Sequence, residues 1–264
     1  DPKKSYFLTR INQLGLDPQT AAFHGIGVNS EGSILINVRD FDGETIKYIP
    51  KSKRKKYKQV SKTKKGEEER FLEPLRTIRK HPDVMRREAI EKPHIKPHKY
   101  DITAKAVSGF GAMPMPNNEF IKRKNVRIDN LIITEGYFKA VALSQMNVPT
   151  IAFDGVLNFK IQGDFLDYLI KSDVKKIVLL YDGDVNEVRI DKEGYFNNGR
   201  ENTFKLSIER FARQLFNVNT RYGTNIKLSV SIPKFDDPKG IDDLLCVSTQ
   251  TEKESIINEL ESGI

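Results

Sequence analysis

The chain has 264 residues, 38% of them hydrophobic, and no run in it approaches the ~20 apolar residues that cross a bilayer, so a membrane span is not expected. Its single cysteine, Cys246, excludes an internal disulfide and a cysteine-rich zinc site and suits a reducing, cytoplasmic setting. The formal charge of +8 is unevenly spread: residues 1–127 hold 28 Lys/Arg against 15 Asp/Glu, residues 128–264 hold 16 against 21, and a basic half joined to an acidic one suggests a part that grips a polyanion and a part that does chemistry on it.

Residues 6–23 carry Phe7, Ile11, Leu14 and Ala21 on a rough 3.6 period, which predicts helix interrupted near Gly15 and Pro18. SILINV at 33–38 and ETIKYI at 44–49 are strand-like and flank Asp42-Gly43, a hairpin signal. KSKRKKYKQVSKTKK at 51–65 follows with nine Lys/Arg. So many like charges resist packing, and the stretch is expected to be an arm, either solvated or laid along a nucleic-acid backbone. Lys53, Arg54, Lys55, Lys56 and Lys58 are its candidate phosphate contacts, with counterion release as the driving force, and Tyr57 offers a face on which a base can stack. Residues 67–90 read as two short helices broken near Pro74 and Pro82. His94 and His98 have the spacing of a helical metal pair, but Pro93 and Pro97 oppose a helix there, so no metal role is assigned to them. Residues 100–127 look irregular, and a domain boundary is placed at 127/128.

The second half alternates regularly. Strands are expected at 131–134, 149–153, 176–181 and 226–232, and helices at 137–147, 163–172, 200–217 and 251–261, which makes an open parallel four-stranded sheet flanked by helices. The first and third strands, built on Leu131, Ile132 and Ile133 and on Ile177, Val178, Leu179 and Leu180, show no polar alternation and read as buried on both faces. Each ends in acid. Glu135-Gly136 follows one and Asp182-Gly183-Asp184 the other, at the strand ends that line the ligand crevice of such sheets. Clustered carboxylates stay ionised most cheaply around a divalent cation, and an all-oxygen set suits Mg²⁺ or Mn²⁺. Asp154 and Asn158, in the loop after the second strand, are weaker candidates on the same side.

This order of motifs, Glu-Gly after one buried strand, Asp-x-Asp after the next but one, then KGIDDLL at 239–245, resembles the TOPRIM domain of bacterial, phage and plasmid-type DNA primases, topoisomerases and some nucleases. The likeness covers residues 131 to about 245. A hairpin followed by a Lys/Tyr segment, as at 33–58, is also similar to the smaller basic α+β subdomain that precedes TOPRIM in primases, here residues 1–127 ahead of a catalytic domain at 128–264. The resemblance implies a metal-dependent nucleotidyltransferase that makes oligonucleotide primers on single-stranded DNA in phage or plasmid-like replication, with nucleoside triphosphates as substrates. Glu135, Asp182 and Asp184 would be catalytic and, with Asp242, hold the metal; Lys139, Asn158, Arg200, Lys239 and Asp243 would contact phosphates or support the site. An RNA–DNA hybrid, a helicase and a flanking domain of the same polypeptide are further expected partners.

Two features depart from the primase pattern. Many members carry an Asp four residues after the Glu, whereas EGYFKA places Lys139 there, as in primase-like domains of phage and plasmid replication proteins, and a cation at that point weighs against a fully loaded two-metal site. The stretch at 185–199 is also long, with Arg189, Lys192 and Arg200 available to phosphates. The residues leave the chemistry open between nucleotidyl transfer, cleavage by a TOPRIM nuclease, and nucleic-acid binding without catalysis.

Overall fold

The computed structural model describes residues 2–13, 16, 18–23, 25–40, 44–64, 66–98, 100–103, 112–114, 127–153, 155–186, 189–190, 196–197, 199–233 and 240–262. Among them no helix is long and apolar enough to cross a membrane. The chain forms two compact units. Asp1–Asn12, Leu16–Asp40 and Glu44–Ser108 make the first; Gly109–Ile264, with the short pieces Gln13–Gly15 and Phe41–Gly43, make the second.

The first unit opens with helices α1 (Pro2–Gln13) and α2 (Pro18–Phe23), the break falling where Gly15 and Pro18 predict it. Its sheet has the order β1-β2-β5-β6, all antiparallel, from Ile26–Val28, Ile34–Asn37, Arg76–Arg79 and Tyr100–Ile102. Ile34 and Ile36 point inward on alternate positions of β2 and are buried with Ile11, Ala21, Ile26 and Leu75. The expected hairpin closes through Asp40 and Glu44, where Ile46 N donates to Val38 O at 2.9 Å, but its second arm then leaves: β3 (Lys47–Tyr48) pairs with β4 (Glu73–Pro74) instead. The hairpin tip at 41–43 lies outside the described residues.

Two expectations for this unit are corrected. The stretch 73–79 is β rather than helix, because Leu75, Thr77 and Arg79 alternate inward and residues 76–79 pair with β2 on one side and β6 on the other. The lysine-rich run is not an unpacked arm: after a 3₁₀ turn at Lys51–Lys53 it forms α3 (Arg54–Thr63). Lys, Arg and Gln are good helix formers, and one narrow face supplies the packing. Lys53, Tyr57 and Val60, spaced i, i+4, i+7, are the half-buried positions, and the Tyr57 ring meets Phe71 edge-on at 6.4 Å between centroids. Helix α4 (Pro82–Glu91) follows, with Pro82 in its first turn and His81 Nδ1 accepting from Asp83 N.

The second unit is an α/β layer structure with a five-stranded sheet in the order β13-β10-β8-β9-β7. Four strands run parallel: β8 (Arg127–Glu135), β9 (Thr150–Phe153), β10 (Asp173–Leu180) and β13 (Lys227–Ser231). The edge strand β7 (Ala112–Pro114) is antiparallel to β9 and lies ahead of residue 128, where the sequence suggests a boundary. A further antiparallel pair, β11 (Arg189–Ile190) and β12 (Phe196–Asn197), falls within the long stretch after β10. Leu131, Ile132, Ile133, Ile177, Val178 and Leu179 are fully buried, as strands covered on both faces require.

The covering helices are α5 (Tyr137–Gln145), α6 (Asp164–Lys171), α7 (Gly199–Tyr222), α8 (Ile241–Val247) and α9 (Gln250–Ser262). On α7 the inward row is Phe204, Ile208, Phe211, Leu215 and Val218. Phe216, an apolar residue next in sequence to Leu215, is 70% exposed, since it sits about 100° around the helix from it.

Candidate active site

Strand order decides which acids meet. Because β8 and β10 are direct neighbours, with Thr134 opposite Leu180, their carboxyl ends deliver Glu135 and Asp182 side by side. Gly136 turns the chain out of β8 with φ 89° and ψ 142°, a conformation open essentially to glycine alone, while its N–H donates to Phe153 O on β9 at 2.9 Å. Gly155 leaves β9 at φ 91° and ψ 142°, so both loops on this edge of the sheet begin alike. After β10, Tyr181 N still bonds Ser231 O on β13; Asp182 then caps a 3₁₀ turn at Gly183–Asn186, with Val185 N donating to Asp182 O.

A third element reaches the same point. Helix α8 packs against α5 and brings Asp242, in its first turn, to 4% exposure. Lys139 on α5 extends its ammonium to Asp182, with Nζ 2.6 Å from Oδ1, and its side chain is only 16% exposed. Burial works against its charge, yet Asp182, through charge and hydrogen bond, and then Glu135 and Asp242 prevail and raise Lys139 above the usual lysine range.

Gly240 fixes how closely these groups approach. A Cβ on it would stand 2.8 Å from Asp242 Oδ1, 3.5 Å from Lys139 Cε and 3.9 Å from Asp182 Oδ1, so the three side chains surround a space that only glycine leaves clear. Its own backbone is extended, at φ −100° and ψ 143°, so the requirement is for room and not for conformation. Gly240 was not singled out from the sequence; the signal is its place immediately before the Ile-Asp-Asp turn. Beneath Glu135, Tyr181 bonds Ser207 Oγ at 3.0 Å, and Ser207 Oγ donates to Val156 O at 2.7 Å. Burial, and to a lesser degree the Glu135 charge, push the Tyr181 phenol up to about 12.

The other candidate residues divide as follows. Asp243 is half-buried on α8, and Asn158 is exposed in the 3₁₀ turn Val156–Asn158. The backbones of Asp184 and Arg200 are described but not their side chains, and Lys239, Asp154 and Lys192 lie outside the described residues. On α3, Arg54, Lys55, Lys56 and Lys58 are exposed, whereas Lys53, on the turn before it, is held by Glu73 at 2.7 Å and the half-buried Tyr57 packs edge-on with Phe71. Arg54, Lys55, Lys58 and Lys62 fall on one side of the helix, and none is within ion-pair distance of an acid among the described residues.

The chemistry of the donors suits a hard divalent cation, since Glu135, Asp182 and Asp242 offer oxygen alone and Gly240 keeps space beside two of them. They do not form a ready-made cage: among the described residues no group of three His, Cys, Asp or Glu is arranged to hold a metal, and Lys139 already occupies Asp182 Oδ1. No family model matches the chain, and no curated protein or solved structure shows significant similarity to it.

Proposed function

We propose that the second unit is a TOPRIM-type nucleotidyltransferase domain, and that the chain extends oligonucleotide primers on single-stranded DNA from nucleoside triphosphates. One observation carries this: Glu135 and Asp182 sit at the carboxyl ends of adjacent parallel strands, with Asp242 and Lys139 gathered at the same point. Glu135, half-buried at the carboxyl end of its strand, would accept the proton of an attacking hydroxyl. Glu135 and Asp182, with Asp184 as the third acid of the motif, would hold Mg²⁺ or Mn²⁺, which when bound supplies Lewis-acid charge to the transferred phosphoryl group. Asp242 holds Lys139 in place from the buried side. The exposed cations of α3 give the first unit a surface on which a phosphate backbone would release its counterions, whatever the base sequence.

The Lys139–Asp182 pair favours a second reading, a nucleic-acid binding domain without chemistry, because the lysine neutralises an acid that catalysis would use. Incubating the chain with single-stranded DNA, all four NTPs or dNTPs and Mg²⁺ or Mn²⁺ separates the two. Labelled products longer than the input nucleotide support the proposal; shortened template transfers the site to a nuclease; retention of template with neither product supports binding alone.

A further inference from the structure

We infer that Lys139 is the resident cation of the acid cluster: it holds Asp182 and Asp242 together in the metal-free protein and leaves room for one protein-held divalent ion, not two. Three independent features lead there. Lys139 Nζ bonds Asp182 Oδ1 at 2.6 Å, which takes one of that carboxylate's roughly four lone-pair sites and sets a positive charge beside it. Asp242 is 4% exposed in the first turn of α8, where a carboxylate is costly to bury without a positive charge nearby, and it adds its charge to those acting on Lys139. The space at Gly240 is bordered by Asp242 Oδ1, Lys139 Cε and Asp182 Oδ1, so the lysine side chain and both acids line the same small gap. A metal ion placed against the same Asp182 oxygen would meet an ammonium at close range in a site with little water to screen the repulsion.

The sequence frames the same substitution from the other side. A motif that elsewhere supplies a fourth acid one helical turn after the Glu supplies an amine here, so the ligand a second ion would need has become a competitor for its place. A second divalent ion, where the reaction uses one, then arrives on the triphosphate. The metal half of this inference rests on the function proposed above; the counter-ion half does not.

The test has two readouts, neither of which is activity. In excess chelator, Lys139→Met is expected to lower Tm by about 10 °C, since removal of one partner of a buried pair leaves the other unpaired, and Asp182→Asn in the same chain is expected to restore the part of that loss that belongs to Asp182. A single variant that does not fold, rescued by the double, supports the inference equally. A single variant with parental Tm, or a double no better than the single, overturns the counter-ion role. Mn²⁺ titration followed by electron paramagnetic resonance is expected to give one ion per parental chain and a second, or at least ~10-fold tighter binding, in Lys139→Met. Two ions in the parent, or an unaltered titration in the variant, overturn the limit of one. A parent that binds no Mn²⁺ at all overturns the proposed nucleotidyl chemistry, while the chelator series still decides what Lys139 does.

Discussion

The helix α3 of the first unit and the acid cluster of the second are both dense in charge and are built on opposite terms. On α3, Arg54, Lys55, Lys58 and Lys62 share an exposed side with no acid in reach among the described residues, and the helix is held by the opposite face, Tyr57 against Phe71. In the cluster, Asp242 is buried, Lys139 and Asp182 are partly so, and the lysine keeps its charge through the acids around it. Exposed charges of the first kind act by number and are interchangeable; buried charges of the second kind act by position, and replacing one changes the others. A functional assay and a stability assay should therefore respond in opposite ways to mutations in the two places.

The largest expected effect is on turnover. Glu135→Gln keeps the shape of the side chain and removes its charge, so primer synthesis, or cleavage if that is the activity, should fall by at least ~100-fold while single-strand binding at fixed salt stays at the parental value. Near-parental turnover would remove Glu135 from the chemistry and reduce the likeness to TOPRIM to one of fold.

Replacing Arg54, Lys55, Lys58 and Lys62 together by alanine tests the other region. The affinity for every single-stranded sequence should fall alike, and the slope of log affinity against log salt should flatten by about 0.7 per lost contact, so by roughly 3 in all. The melting temperature should hold, because alanine is at least as good a helix former as the residues it replaces. A parental salt slope would make α3 a solvated face and nothing more; a large loss of Tm would mean that its charges are positional after all.

Two glycines separate room from backbone conformation at the acid cluster. Gly240→Ala introduces a methyl 2.8 Å from Asp242 Oδ1 on an unstrained backbone, whereas Gly136→Ala meets nothing within 4 Å but forces a side chain into φ 89°. Each should cost about 1–3 kcal/mol in urea unfolding, the first by displacing a short buried side chain and the second by strain. Only Gly240→Ala should also perturb Mn²⁺ binding in proportion to its cost. Equal effects of both on the metal would show that the loop after β8, and not the space beside Asp242, governs the site.

Much of the second unit was legible because its strands are unbroken apolar runs. Leu131–Ile132–Ile133 and Ile177–Val178–Leu179–Leu180 leave no other economical reading, and each was recovered with the acids at its end. The strands proved longer at their amino ends, where Arg127–Asn130 and Asp173–Lys176 include polar residues that alternate with buried Ile128 and Val174. Strand order was not legible, and it is what sets Glu135 beside Asp182. The first unit was read less well. Its strands are two to four residues long, too short for periodicity to speak, and the charge of 51–65 concealed the three half-buried positions that make it a helix. The Lys139 pairing lay between these cases: the amine was visible in EGYFKA, but only the packing of α5 on α8 says which acid takes it.

The smallest effect is nil at neutral pH and concerns burial without pairing, in the same unit as the cluster. Tyr168 on α6 and Tyr181 after β10 are 1% and 2% exposed, and desolvation raises both phenols to about 12, against a partial opposing effect of the neighbouring hydroxyls of Ser172 and Ser207. A phenol whose folded value exceeds its unfolded value of about 10 holds its proton more tightly in the native state, so stability is unaffected below pH 10 and falls as pH rises from about 10 towards 12. Each tyrosine contributes a slope of about 1.4 kcal/mol per pH unit across that window. Phenolate absorbance near 295 nm should accordingly show a late phase, together with unfolding, that includes Tyr168 and Tyr181, and Tyr168→Phe should remove one tyrosine from it with its share of the slope. The exposed lysines of α3 have no such native-state partner, so their replacement should leave this alkaline limb where it is. If all nine tyrosines ionise near pH 10 in the folded chain, the interior of the second unit is wetter than its burial implies, and the close-range repulsion invoked between Lys139 and a second metal ion loses its basis.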